Sequence, residues 1–401
     1  MATTLGRATV ARFSPAASVE AIDRDVRAPW YLTAVLIAAA LTYVGVLWDI
    51  AWHSTIGRDT FWSPPHLCTY ASGLLVGIAC GWIALKTTFA GTPEERARSV
   101  GLWGFRAPLG AWICTWGAIA LLTSAPFDDW WHGAYGLDVM IISPPHTLLS
   151  LGMIAIVGGA LLMGVAWQNR APESERRSLE RYVLVAMGIF LGMVALYTYE
   201  YSIRIFHHSA RFYQVSAIGY PLVLVAAARV STRRWPATTV TAVYMLSRLV
   251  MGWMLPLFDA APKLGPVYNP VTHMIPMQFP LLLIIPGIGI DLLMRRLGRT
   301  ATPARDWANA LLFGVVFVAL FVAAQWPFAS FLQSPAARNP VFWSDLFPYA
   351  VPADTFSRRF EFIPGSGAMA LATGLLIAMV WATLSSRAGL AWGRWMRQVQ
   401  R

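Results

Sequence analysis

Apolar runs alternate with short polar segments along almost the whole chain after residue 28. A helix needs about 20 apolar residues to cross the hydrocarbon core of a bilayer, and these runs are of that order. The pattern predicts an all-α polytopic membrane protein with about ten transmembrane helices in repeated helix-hairpin modules. A re-entrant run would reduce the number to eight or nine. The ten runs lie near residues 30–52, 64–86, 105–125, 144–167, 180–200, 212–230, 236–257, 271–294, 307–327 and 365–386.

These runs divide the chain into four parts. Residues 1–28 are polar, carry arginines and lack an apolar signal core, so we expect a cytoplasmic tail. Residues 29–175 hold two hairpin modules with four transmembrane helices, and residues 176–300 hold two more divergent ones. Residues 301–401 form two helices joined by a long outer loop, 328–364. The prolines and aromatic residues of that loop predict an ordered segment packed on the bundle.

Basic residues concentrate in alternate loops. The rich loops and the C-terminal tail carry Lys86, Arg96, Arg98, Arg170, Arg176, Arg177, Arg181, Arg233, Arg234, Arg295, Arg296, Arg299, Arg305, Arg387, Arg394, Arg397 and Arg401. The short opposite loops carry only Arg58, Arg204, Arg211 and Lys263. The positive-inside rule therefore predicts that both termini are cytoplasmic, in a bacterial inner membrane, and that the opposite loops face the periplasm.

Composition agrees with a bilayer as the partner. Hydrophobic residues make up 57% of the chain and charged residues only 13%. The net charge of +11 lies mainly in tails and short loops, so it indicates membrane topology, and we expect no nucleic-acid partner. Cys68, Cys80 and Cys114 lie within apolar runs without CxxC spacing, so they predict neither a disulfide framework nor a thiolate metal site.

One segment occurs twice. The stretch WDIAWHSTIGRDTFWSPPH, residues 48–66, returns as DDWWHGAYGLDVMIISPPH, residues 128–146. Acidic residues, histidines and a Ser-Pro-Pro-His sequence recur. The offset between the copies is 79 residues for the first histidine and 80 for the second, so one copy carries a one-residue insertion. An internal duplication that repeats a whole set of potential metal ligands favours metal binding over chance. The repeated residues are Asp49, His53, Asp59 and His66, matched by Asp128, His132, Asp138 and His146.

Local chemistry predicts how each copy folds. Asp49 and His53 stand one helical turn apart, so they project from one face of the helix. Ser63 suits the N-cap of the next helix, whose first turn accepts the prolines. His66 then lies at the positive end of that helix, which disfavours imidazolium and leaves the ring free to bind a metal. The result is an Asp/His/His site with an open position.

Other polar residues near the two copies are expected to support these ligands without binding the metal. Asp59 is predicted to orient a histidine, and Arg58 to offset negative charge. In the second copy, Asp138 and Asp129 take the supporting positions.

The segment from His53 to His66, preceded by Asp49, resembles the metal-binding segment of the C subunit of the copper membrane monooxygenases, the particulate methane and ammonia monooxygenases. Both have an Asp, a His after three residues, a Thr-Ile-x-Arg-Asp-Thr core and a Pro two before the last His. The second copy is similar to the second site of that subunit, but Asp128 stands where the family has Asn. The resemblance covers roughly residues 45–155.

The resemblance implies copper-dependent activation of dioxygen and hydroxylation of a small apolar substrate or an amine. It implies that Asp49, His53 and His66 hold one metal, and that Asp59 and Asp138 orient ligands or relay protons. By the same match, the second metal would be held by Asp128, His132 and His146. The ligand types also suit iron and zinc. The family works with other membrane subunits, but the extra spans after residue 180 also fit a homo-oligomer.

The third and fourth outer hairpins resemble divergent copies of the duplicated hairpin module. Their candidate ligands are Glu200, His207, His208, Asp259 and His273, with support of the main sites as the alternative role. Trp52 and Trp131 each precede a ligand histidine, so they are candidates to wall a substrate cavity. An interfacial aromatic belt is the alternative for these tryptophans.

Three other functions fit the same residues. A metal-handling protein would take up or deliver copper or zinc, and it should carry ligands through to the cytoplasmic side. A haem protein would pair histidines across copies as axial ligands. A structural homologue would only assemble with an oxidase.

Overall fold

The computed structural model describes residues 29–136, 143–298, 302–352, 354–355, 359–365 and 367–401. The predicted cytoplasmic tail, 1–28, and Asp138 lie outside these residues. The described chain is mainly helical, and its one sheet is a short antiparallel hairpin formed by β1 (Val100–Leu102) and β2 (Phe105–Ala107). The prediction of an all-α polytopic membrane protein is confirmed.

The described residues form eleven α-helices, nine of which are long and apolar enough to cross a membrane. They are α1 (Trp30–Thr55), α2 (Pro64–Leu85, continued by a π-helical turn, Lys86–Ala90), α3 (Pro93–Ala97), α4 (Leu109–Tyr135), α5 (Pro144–Arg170), α6 (Glu173–Tyr197), α7 (Ala210–Val230), α8 (Pro236–Met254), α9 (Ile284–Leu297), α10 (Pro303–Gln333) and α11 (Ala368–Met396). Short 3-10 turns lie at Tyr199–Tyr201, Arg204–Phe206, Leu255–Leu257 and Pro335–Ala337.

The run predicted as a helix over 271–294 differs from the rest. Only its second half is helical, because α9 begins at Ile284 and the preceding residues are extended. Pro276 and Pro280 lack the N–H groups that a helix would need there. Met274, Met277 and Leu281 are buried, so this extended backbone runs through the protein interior.

Extended backbone inside a membrane protein must find hydrogen-bond partners in neighbouring elements. Three side chains provide them. Thr55 Oγ1 accepts from Ile275 N at 2.7 Å, the Tyr244 hydroxyl accepts from Leu281 N at 3.2 Å, and Gln325 Oε1 accepts from Leu282 N at 2.9 Å. Helices α1, α8 and α10 thus replace the bonds that a continuous helix would make for itself.

The duplicated modules form two neighbouring hairpins, α1 with α2 and α4 with α5, and α2 packs on α4. Within the second hairpin the helices approach closely at glycines. A Cβ placed on Gly110 would lie 2.7 Å from the carbonyl oxygen of Gly159, and one on Gly117 would lie 2.8 Å from that of Gly152. Small residues at such positions allow membrane helices to pack backbone against backbone.

All seven histidines lie at one end of the bundle, where α1, α4, α6 and α8 finish; we call it the histidine end. The loop after α10 packs on this end. Tyr349 N donates to Ser54 O at 3.1 Å, and Lys263 N from the loop after α8 donates to Ile56 O at 2.9 Å. Both loops therefore hold the end of α1 in place.

Candidate functional site

The first copy of the duplicated segment brings its predicted ligands together. Asp49 and His53 lie one turn apart near the end of α1, and the Asp49 Oδ2 to His53 Nε2 distance is 3.8 Å. His66 lies in the first turn of α2, and its Nε2 is 3.3 Å from Asp49 Oδ1. The tight connection between α1 and α2 therefore places one carboxylate between two imidazoles.

Asp59 joins this group directly. Its Oδ2 lies 3.5 Å from His53 Nε2 and 3.3 Å from His66 Nε2, and the side chain is largely buried. The sequence suggested that Asp59 would orient a ligand from outside. In the structure it approaches both histidines as closely as Asp49 does, so the site has four donors, two carboxylates and two imidazoles.

The loop between α1 and α2 is held in shape by its own hydrogen bonds. Trp52 Nε1 donates to Arg58 O at 3.1 Å, which anchors the residue just before Asp59. Ser63 is the residue before α2, but its hydroxyl does not cap the helix as predicted. It accepts instead from Thr60 N at 2.7 Å and closes the loop.

The hydrogen bond of the His66 ring fixes its tautomer. Nδ1 lies 2.9 Å from Thr60 O, and a carbonyl oxygen can only accept, so Nδ1 carries a proton. In the neutral ring, Nε2 then presents its lone pair to two carboxylates at 3.3 Å. Lone pairs and carboxylate charges repel, so the arrangement requires a proton or a metal ion between these atoms.

The charges of the site also act on Asp59. Burial would raise its pKa, but the hydrogen bond from His53 and the charges of His53 and His66 outweigh burial and lower the pKa to about 2. The Asp49 Oδ1 atom is buried, and in the neutral tautomer His66 Nε2, 3.3 Å away, offers it no proton. A buried carboxylate oxygen in that position is suited to a cation.

The second copy repeats the geometry in a looser form. Asp128 Oδ1 lies 3.7 Å from His132 Nε2 and 3.6 Å from His146 Nε2. Ser143 caps α5 as predicted, accepting from His146 N at 3.3 Å. Asp138, the counterpart of Asp59, lies outside the described residues. The predicted supporting residue Asp129 is exposed.

The two sites lie side by side at the same depth. Helices α2 and α4 run in opposite directions and touch where a Cβ on Gly73 would meet Leu122 Cγ at 2.9 Å and Leu121 Cδ2 at 3.1 Å. Toward the histidine end, His66 lies seven residues from Gly73 and Asp128 lies seven residues from Leu121. Seven residues correspond to about 10 Å along a helix. Tyr70 lies within electrostatic reach of carboxylates from both copies.

The predicted additional histidines of the third hairpin are used by the protein itself. His207 is buried, with Nε2 2.9 Å from Ser202 O and Nδ1 3.2 Å from Gln325 Nε2. Burial lowers its pKa to about 4. His208 stacks between Trp326 and Phe362, with ring centroids 4.1 and 3.6 Å away.

These contacts engage both ring nitrogens of His207, so the structure gives it a packing role. Glu200, the carboxylate predicted for this hairpin, is exposed. The structure does not bring it together with the two histidines in any described contact.

The fourth hairpin pairs its two candidates at the surface. Asp259 and His273 form an isolated antiparallel bridge, with Oδ1 3.3 Å from Nε2. Their side chains are 95% and 54% exposed, and Thr272 Oγ1 lies 2.8 Å from His273 Nδ1. A solvated pair of this kind is a poorer candidate for a metal site than the half-buried first group.

The two candidate cavity tryptophans pack against protein. Trp52 contacts the buried cluster that contains Ala51, Leu255 and Met274. Trp131 packs against Tyr135 with the rings tilted by 45° and their centroids 4.5 Å apart. In the described structure both indoles therefore support the ends of the helices that carry the histidines.

Sequence reasoning missed two residues that the structure makes prominent. Tyr70 follows His66 by one turn, a spacing that could have signalled its place beside the ligands. Arg248 is a charged residue within the apolar run 236–257, and a charge inside a membrane span is itself a signal of function.

Among the described residues, no group of three or more His, Cys, Asp or Glu side chains is placed so that it could hold a metal ion. A metal at the first copy is therefore a proposal that rests on the pairwise distances and the chemistry of the donors. Comparisons of this chain with protein-family models, with curated proteins and with solved structures found no match.

Proposed function

We propose that this protein is a membrane metalloprotein that binds a metal ion at Asp49, His53, Asp59 and His66. The observation that carries the proposal is the convergence of two carboxylates and two imidazoles from the α1–α2 hairpin, with donor atoms 3.3 to 3.8 Å apart. Donors that share a tetrahedral ion at about 2.0–2.1 Å stand about 3.3 Å apart. The donor set thus fits a small divalent ion.

A second ion is proposed at Asp128, His132 and His146, where the distances are 3.6 and 3.7 Å. These pairs are looser than the 3.3 Å pairs of the first site, so we expect the first site to have the higher affinity.

Copper is the metal we favour, because the first segment resembles the copper-binding subunit of the membrane monooxygenases. Imidazole and carboxylate ligands suit copper, and they also suit iron and zinc. Bound copper would supply the redox chemistry that oxygen activation requires. On this proposal the protein oxidises a small apolar substrate or an amine, and its own residues orient the ligands and exclude water.

The alternative of metal transport receives less support from the described part of the chain. A transport path would need donors free to bind metal through the bundle. The three buried carboxylates away from the histidine end are all occupied: Asp306 by Arg229 and Arg394, Asp291 by the N-terminus of α8, and Glu180 by Thr232.

Haem binding is also less well supported. His53 and His66 both approach carboxylates of their own copy, and His132 and His146 both approach Asp128. Axial ligation of a haem would need histidines from different elements facing each other across a wide space. The short distances within each copy favour a single small ion.

The test is metal content by mass spectrometry, with an EPR spectrum, on the detergent-purified protein. We compare the parent, a His53→Ala/His132→Ala double variant and a His273→Ala control that removes an exposed histidine. Copper should be stoichiometric in the parent and the control and absent from the double variant. Zinc, or no metal in the parent after metal-replete growth, would contradict the copper proposal.

Asp59→Asn tests the first site more finely, with Asp129→Asn as its matched control. Both changes remove one negative charge, but only Asp59 touches two histidines. We expect Asp59→Asn to weaken copper binding about tenfold or more in a chelator competition, since the loss is that of a charged ligand. Equal affinities in the two variants would exclude Asp59 from the site.

A further inference from the structure

A second unusual group lies away from the histidine motifs. Arg248 is in the middle of the apolar helix α8 and is only 8% exposed. A charged side chain within a membrane span costs free energy unless it is compensated, so such residues commonly mark sites of function. Its Nη1 donates to Met277 Sδ at 2.9 Å, and its Nη2 donates to Gln278 O at 2.7 Å.

Neither partner carries a negative charge. A thioether is a weak acceptor and a backbone carbonyl is neutral, so the guanidinium charge is not balanced by these contacts. Arg229 shows the contrast, because its Nη1 donates to the buried carboxylate Asp306 at 2.8 Å. Within the described residues no carboxylate forms an ion pair with Arg248.

The surroundings of Arg248 offer hydroxyl groups. Tyr43, Tyr220 and Tyr244 are buried and lie within electrostatic reach of the guanidinium. Tyr244 accepts from Leu281 N, and the Tyr220 hydroxyl lies 3.0 Å from Thr198 Oγ1. The Tyr43 side chain is also buried, at 2% exposure, and Ser247 of α8 lies beside its hydroxyl.

A small cavity of about 10 Å³ adjoins the guanidinium. It is lined by Leu47, Arg248, Met251, Gly252, Leu255 and Met277. This volume is about that of one water-sized sphere. The flexible methionine side chains in the wall can shift to admit a slightly larger occupant. Apart from Arg248, the residues that line the cavity are apolar.

The long loop after α10 covers this cavity. The Trp343 indole occupies the space that a side chain at Gly252 would need, and its Nε1 donates to Met277 O at 3.0 Å. Both Gly252 and Met277 line the cavity, so Trp343 closes it on the side of the histidine end.

From these observations we infer that Arg248 binds a single monatomic anion of chloride size in this cavity. The anion balances the buried guanidinium charge, and Trp343 packs over Gly252 and Met277 at the cavity wall. The broken span supplies one wall, because Met277 of its extended part lines the cavity. This site is independent of the proposed metal centres.

The test is the thermal unfolding temperature of the detergent-purified full chain in chloride, bromide or gluconate at constant ionic strength. Chloride and bromide should raise the Tm by about 2–5 °C in a saturable way, as expected for a ligand that binds only the folded state. Arg248→Met should abolish this halide dependence. Lys263→Met, which removes one exposed positive charge, should keep it.

A second measurement keeps the test decisive if Arg248→Met does not fold. Crystals grown in bromide should show an anomalous peak beside Arg248. A parent Tm that does not depend on halide, with no bromide peak, would mean that the cavity holds only water and would overturn the proposal.

Discussion

Individual side chains at the histidine end have environments that sequence neighbours alone would not predict. Asp59 and His207 show this most clearly. Asp59 is ten residues after Asp49, yet the loop folds it back against the same two histidines. His207 lies in a histidine pair that suggests a metal, yet both ring nitrogens face protein atoms and the ring packs 4.4 Å from Phe212. Burial and loop shape set these roles.

The buried neutral state of His207 predicts a pH dependence of stability. Burial lowers its pKa to about 4, whereas the unfolded chain takes up a proton near pH 6.5. Between these values the unfolded state binds more protons, so the stabilising contribution is complete above about pH 6.5 and is lost as the pH falls toward 4. The shift corresponds to at most about 3 kcal/mol.

The measurement is the difference in Tm between pH 7 and pH 5 for the parent, for His207→Gln and for His273→Gln. Glutamine keeps hydrogen-bonding groups but does not titrate, so the first variant should lose less stability on acidification than the parent. The second variant removes an exposed histidine and should behave like the parent. Arg204 and His208 neighbour His207 in all three proteins, so their contributions cancel. Equal pH slopes in all three proteins would contradict the prediction.

At the scale of elements, close helix packing depends on small or polar residues at particular positions. Pro221 lies inside α7 and has no N–H to donate to Ala217 O. Ser385 of α11 supports the backbone beside it, because its hydroxyl accepts from Leu222 N at 2.9 Å and donates to Ile218 O at 2.8 Å. The glycines between α4 and α5 act differently, by removing bulk where two backbones meet.

Adjacent glycines in α5 give a matched prediction. A Cβ on Gly159 would lie 2.7 Å from Gly110 O and close to Cys114, whereas a Cβ on Gly158 would meet nothing within 4 Å. We expect Gly159→Ala to destabilise the protein by about 1–3 kcal/mol through overpacking. Gly158→Ala should be neutral or stabilising, because alanine favours helix more than glycine does. Thermal unfolding in detergent distinguishes the two variants. A Gly159→Ala variant as stable as Gly158→Ala would contradict the prediction and show that α4 and α5 can move apart freely.

At the scale of the whole molecule, ten crossings still connect the two ends of the described chain. Nine long helices account for nine, and the extended residues before α9 together with α9 make the other. This arrangement is consistent with the predicted topology in which both termini are cytoplasmic and the histidine end faces the periplasm. The topology itself stays a prediction until the two faces are labelled.

Labelling of single cysteines in intact cells tests that topology. The Asp259→Cys variant places a thiol on the exposed histidine end. The Glu173→Cys variant places one at the opposite end, where α6 begins. In a background without Cys68, Cys80 and Cys114, a membrane-impermeant maleimide should label residue 259 in intact cells. It should label residue 173 only after permeabilisation. The reverse pattern would place the histidine motifs in the cytoplasm.

The sequence by itself determined the membrane class, the positions of nine long helices and the two duplicated hairpins, because apolar length and repeated residues are local properties of the chain. It also identified the ligand candidates Asp49, His53 and His66, since helical spacing and the Ser-Pro-Pro-His turn fix their relative positions. Their function as metal ligands stays a prediction.

Tertiary structure decided the rest. The run 271–294 is apolar enough for a helix, but its prolines leave the first half extended, and only side chains from α1, α8 and α10 make that backbone stable. Asp59 becomes a fourth donor because the loop returns to the helix ends. Arg248 becomes notable because its neighbours in the described part of the chain bring hydroxyls, a thioether and a carbonyl but no carboxylate. These outcomes depend on contacts between residues far apart in the chain, which no local pattern specifies.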